Sequence, residues 1–208
     1  MSVREAKARD HTAPSVVYVL PDKMGGMTNI VANLLAYRRP DGFFHYAVLT
    51  HNRLSRDTPF GENLMADRQA RVEYTLPLEN LHTVLRRLAA AIPTGPGVLV
   101  TNDLIELAML CCHDPGRTVI QILHGDHDYY YDLAARHEQV IDVFIAYSRT
   151  MYEKLQQRIP QRRDSIVHLP FGIPIPPKVR HPVGGPLRLV FAGRIEDAVH
   201  QHQVAAAF

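Results

Sequence analysis

The chain has 208 residues, 46% apolar and 21% charged, with 12 Gly and 15 Pro. That balance is globular and too unbiased for a fibrous or disordered protein. A formal net charge of +2 leaves no basic excess for a nucleic-acid surface, so nucleic acid is not expected as a partner. The two cysteines, Cys111 and Cys112, are adjacent, which suits neither a bridge nor a disulfide framework, and a reducing, cytoplasmic home is expected. The longest apolar runs fall far below the roughly 20 residues that span a bilayer. Peripheral membrane contact needs no such span and stays open.

Residues 1–14 are charged and polar and read as a flexible tail. A strand is then predicted at Ser15–Leu20, a helix at Thr28–Tyr37, a strand at Phe44–Thr50 and a helix at Phe60–Arg68. A strand at Val72–Leu76 and a helix at Asn80–Ile92 follow, the helix placing Leu81, Val84, Leu85 and Leu88 on one face. Next come a strand at Val98–Thr101, a helix at Leu104–Cys111, a strand at Thr118–Leu123 and a helix at Tyr130–Val140. A strand at Val143–Ala146, a helix at Thr150–Arg158 and a strand at Ser165–Leu169 complete the series. Thr150 and Glu153 have the spacing of a capping box for the last helix, and Pro160 stops it.

Continuous apolar strands alternating with helices define an α/β domain, a doubly wound and mostly parallel sheet of Rossmann-like type, over residues 15–172. Residues 173–186 are proline-rich and read as a stiff linker. Leu187–Ala192 then reads as a fresh buried strand, the start of a second α/β domain over 187–208 that is cut short at Phe208. An orphan strand at 187–191 would invite pairing with a partner chain or a second copy.

Three features could carry chemistry. Gly25-Gly26 follows the first strand and precedes a helix, where the backbone can approach an anion closely; a plain tight turn is the alternative. The loop has neither G-x-G-x-x-G nor G-K-[ST], so the dinucleotide and Walker fingerprints do not fit. His124-Gly125 ends the fifth strand, at the edge where open α/β sheets place ligands. There His124 can donate to a sugar hydroxyl or stabilise developing charge, or it can cap the next helix. His124, Asp126, His127 and Asp128 are metal-ligand types, which would suit a metal-dependent hydrolase, but their spacing matches no zinc pattern and no metal is expected. Asn102-Asp103 lines the same crevice or caps the helix from Leu104, capping being the simpler reading.

In order, these pieces resemble the retaining glycosyltransferases of family 4, whose GT-B architecture pairs two Rossmann-like domains. The resemblance runs through Gly25-Gly26, His124-Gly125, the strand Phe144-Ile145-Ala146 with Ser148, the turn Pro170-Phe171-Gly172-Ile173, the segment Phe191-Ala192-Gly193-Arg194-Ile195, and Ala207-Phe208. It implies sugar transfer from a nucleotide-diphospho-sugar to a sugar or lipid acceptor, with no cofactor beyond that donor. Gly25, Gly26 and Arg194 would bind donor phosphates, and His124 would be the catalytic-site histidine against the donor sugar. Asn102, Asp126, Tyr129 and Tyr130 would lie on the acceptor side. The chain departs from the family at Val199-His200, where Lys-Gly is usual, and ends before the paired glutamates of the donor domain. The rival reading is a non-catalytic binding or regulatory module that pairs with a partner supplying the donor half.

Overall fold

The computed structural model describes residues 14–173, apart from 39, 58 and 61–63. Within that span lie seven strands: β1 (Ser15–Pro21), β2 (Phe44–Asn52), β3 (Arg68–Tyr74), β4 (Gly97–Thr101), β5 (Thr118–Leu123), β6 (Val143–Ala146) and β7 (Ile166–His168). The helices between them are α1 (Gly26–Tyr37), α2 (Leu81–Ala91), α3 (Leu104–Leu110), α4 (Asp128–Arg136) and α5 (Arg149–Arg158). The strands form one sheet in the order β3-β2-β1-β4-β5-β6-β7, every pair parallel. The domain is therefore the doubly wound Rossmann-like α/β fold expected.

The strand order dictates where the helices go. From β1 the chain first steps outward through β2 to β3, then returns and steps the other way through β4 to β7. Right-handed crossovers running in opposite directions put their connections on opposite faces of the sheet. Two separate cores bear this out. Val31 and Leu35 of α1 pack with Tyr18, Leu20, Ala47 and Leu49 on one face. Leu85 and Leu88 of α2, Leu107 of α3, Leu133 of α4 and Leu155 of α5 pack with Val17, Val19, Val48 and Leu99 on the other. Alternate side chains of β1 thus reach both cores, which is why its sequence is apolar without a break.

Three expectations are corrected. No helix spans Phe60–Arg68: its described residues form a loop, and Arg68 already belongs to β3. Phe60 and Leu64 nevertheless bury themselves in the α1-face core, where a β2-to-β3 crossover helix would sit. The strand expected at Val72–Leu76 begins and ends earlier, at Arg68–Tyr74, because pairing to β2 (Tyr46↔Arg68 through Asn52↔Tyr74) sets its limits. The last helix is capped by Ser148, which accepts from Met151 N at 3.1 Å, while Glu153 pairs with Arg149 instead. Shorter revisions are that α4 opens at Asp128 and ends at Arg136, with a separate 3-10 turn over Glu138–Val140.

Among the described residues no helix is long and apolar enough to cross a membrane. The tail (1–13), most of the linker (from 174), the strand at 187–191, the second-domain segment to Phe208 and Arg194 lie outside the described residues.

Candidate functional site

Order reverses between β1 and β4, so their carboxyl ends flank the crevice in which such sheets bind ligands. The loop after β1 forms one wall. Asp22 is buried at 2% exposure; its Oδ1 accepts from Phe60 N at 3.0 Å, and the Arg71 guanidinium lies 2.6 Å from Oδ2 without the alignment of a hydrogen bond. Thr28, fully buried in the first turn of α1, donates from Oγ1 to Lys23 O at 2.7 Å and ties the loop to the helix. Gly25 is the N-cap and Gly26 the first residue of α1. No side chain caps that end and no acidic residue stands in its first turn. Among the described residues neither a capping side chain nor a first-turn carboxylate compensates its backbone N–H groups and positive dipole end, the arrangement that suits an anion. Nothing lies within 4 Å of where a Gly26 Cβ would be.

The opposite wall comes from β4 and β5. Asn102 has no exposure. Its Nδ2 donates to Val19 O of β1 at 2.6 Å, and its Oδ1 meets His124 Nε2 at 2.7 Å. One buried amide thus joins the ends of β1, β4 and β5. Glu106, also fully buried, accepts through Oε1 from Asn102 N at 2.7 Å and Asp103 N at 2.6 Å. Asp103 is the N-cap of α3 and completes a capping box with Glu106. Capping therefore falls to Asp103, and Asn102 belongs to the crevice. Burial, and secondarily the charge of Asp103, pushes the Glu106 carboxyl up to about 8, so it is protonated at neutral pH.

His124 is half-buried, and burial lowers its imidazole to about 4, leaving it neutral at pH 7. Its Nδ1 is buried and makes no hydrogen bond among the described residues. Tyr147, at the end of β6, stands edge-on to the His124 ring with centroids 5.9 Å apart, and Phe171 packs against Tyr147 at 5.8 Å. The Tyr147 hydroxyl is likewise buried without a partner among the described residues, and burial raises its pKa.

The other expected residues divide. Tyr129, half exposed, donates to Asp103 Oδ1 at 2.6 Å and so joins the Asn102–Asp103 wall. Tyr130 packs edge-on to Tyr129, with ring centroids 5.2 Å apart, and its ring would lie 3.1 Å from a Cβ on Gly125. Asp126 is engaged elsewhere: it accepts from Lys154 Nζ at 2.8 Å and from the Tyr131 hydroxyl at 2.6 Å, contacts that hold its carboxyl below the usual range. His124 and Asp126 thus have separate partners, and among the described residues no three His, Cys, Asp or Glu side chains are grouped to hold a metal. Sequence reasoning missed Glu106 and Tyr147. The signal for Tyr147 was its place at a strand's carboxyl end; a glutamate in the first turn of a helix gives no sign of being buried.

No protein-family model matches the chain. No curated protein matches it either. Among solved structures, HepE of Anabaena in complex with UDP shares 12% identity at a TM-score of 0.50, over 76% of this chain and 44% of that one. HepE with UDP and glucose gives 12% identity and a TM-score of 0.51, over 77% and 45%. The chain therefore spans less than half the length of these structures, and at this identity the likeness is one of fold.

Proposed function

We propose that this chain is the acceptor-side part of a retaining, nucleotide-sugar-dependent glycosyltransferase of the two-domain type, moving a sugar to a sugar or lipid acceptor once a donor-binding domain completes the cleft. The observation that carries this reading is the convergence at the β1/β4 crevice of the uncapped N-terminus of α1 and the neutral Asn102–His124 pair. One wall suits a diphosphate and the other suits hydroxyl groups, and a nucleotide sugar offers both. HepE, which shares the fold, is seen with UDP and glucose, so the same ligand class is the first to test here. In this reading Gly25 and Gly26 approach the donor phosphates and His124 contacts the transferred sugar. Tyr129 and Tyr130 face the acceptor, Asn102 holds His124 in place without meeting the acceptor itself, Asp126 is taken up by Lys154 and Tyr131, and Arg194 neutralises the leaving diphosphate, where electrostatic stabilisation counts most.

Calorimetric titration of the chain with UDP-, ADP- and GDP-glucose tests the reading. One of the three is expected to bind in the millimolar range, with His124→Ala, which lowers the melting temperature by leaving the buried Asn102 oxygen without its partner but keeps a cooperative unfolding transition, weakening it about tenfold. No binding by any of them, or binding indifferent to His124→Ala, would overturn it.

A further inference from the structure

The Asn102 amide is oriented by its surroundings. Val19 O can only accept, so the group facing it at 2.6 Å must be the Asn102 NH₂. Turning the amide over would set two oxygens against each other. Oδ1 therefore faces His124 Nε2 at 2.7 Å, and since Oδ1 only accepts, Nε2 must carry the proton. Glu106 holds the backbone N–H groups of Asn102 and Asp103, which leaves this amide in one place.

We infer that Asn102 is a positioning residue that fixes His124 as the Nε2–H tautomer, so that Nδ1 is a hydrogen-bond acceptor and the site takes a ligand group that donates, a sugar hydroxyl in place of a phosphate, carbonyl or ether oxygen. This reverses the expectation that His124 donates to its ligand. A neutral imidazole holds one proton, and here that proton is already committed to Asn102. The lowered pKa of His124 agrees with a ring that stays neutral at pH 7. Nδ1 is the buried atom left without a partner among the described residues, with the Tyr147 hydroxyl, also unpartnered, on the adjoining ring. The tautomer rests on geometry alone; the sugar as ligand rests on the glycosyltransferase reading.

The test begins without ligand. Two-bond ¹H–¹⁵N spectra of the histidine-labelled chain should show His124 with a protonated Nε2 and a pyridine-like Nδ1; a protonated Nδ1 would overturn the inference. Asn102→Ala should release the lock and give a tautomer mixture, and an unchanged Nε2–H form would deny Asn102 its role. Should that variant fail to fold, Asn102→Ser, a smaller polar group that removes the carbonyl oxygen facing Nε2, should likewise give a tautomer mixture, and a pure Nε2–H form there would count against the mechanism. Whichever of UDP-, ADP- and GDP-glucose binds tightest is then added to the unmutated chain. The Nδ1 resonance should move, and among monodeoxy-fluoro analogues, whose fluorine cannot donate, one position should lose roughly tenfold or more in affinity. Binding that leaves Nδ1 unmoved, or no such position, overturns the ligand half of the inference while the glycosyltransferase reading survives. No binding at all overturns that reading together with the ligand half, and the tautomer is still decided by the ligand-free spectra.

Discussion

Glu106 offers a test of the buried wall that needs no ligand. Its carboxyl has no exposure, its Oε1 is committed to two backbone N–H groups, and its Oε2 has no partner among the described residues. Burial raises its pKa from the ordinary 4.5 to about 8. Between those values the folded chain keeps a proton that the unfolded chain has released. Stability therefore falls as pH rises through this window, by about 1.4 kcal/mol per pH unit, reaching a deficit on the order of 5 kcal/mol near the folded pKa. Below the unfolded pKa both states are protonated and the effect vanishes. Glu106→Gln keeps the accepting oxygen, does not titrate, and contributes only a constant offset. Urea unfolding of both proteins at half-unit steps from pH 5 to 8 should show the unmutated chain losing ground steadily to the variant. Parallel curves would refute the buried, protonated carboxyl.

Three further predictions follow from local geometry. Gly97→Ala would place a Cβ 2.0 Å from Ser15 O at a φ of +141°, wedging β1 from β4, and should cost about 3 kcal/mol or more in urea unfolding; a loss under about 1 kcal/mol would contradict the packing. Gly26→Ala has open space around it and exchanges a helix glycine for alanine, so the melting temperature should hold or rise slightly while calorimetric nucleotide-sugar affinity falls; unchanged affinity would remove this glycine from the binding loop. Ser148→Ala should cost about 1 kcal/mol by denaturant unfolding and Thr150→Ala much less, and the reverse ranking would restore Thr150 as the cap of α5.

Where the sequence spoke through periodicity, it was legible. β1, β2 and β4 to β6 are runs of apolar residues buried on both faces, and Leu81, Val84, Leu85 and Leu88 share one side of α2, although Leu81 remains 48% exposed at its first turn. β3 was misplaced because it is an edge strand whose first residues, Arg68-Gln69-Ala70-Arg71, carry no apolar run; β2 defines it through pairing. Phe60 and Leu64 have helical spacing, yet each is buried as a loop residue, and periodicity cannot separate the two cases. At the site, topology brought Gly25-Gly26 and His124 to one sheet edge as expected. The bond from Asn102 to Val19 O spans 83 positions in sequence and could not be read from either neighbourhood. Asn102 and Asp103 looked alike as helix caps; the fold gave the cap to Asp103 and turned Asn102 toward His124.

The most direct test of the central claim is a crystal structure of the chain with the tightest-binding nucleotide sugar of the panel. The diphosphate is expected at the N-terminus of α1 beside Gly25 and Gly26, with a sugar hydroxyl donating to Nδ1 of His124. A ligand seated away from the β1/β4 crevice, or one whose phosphate rather than a hydroxyl meets His124, would contradict it.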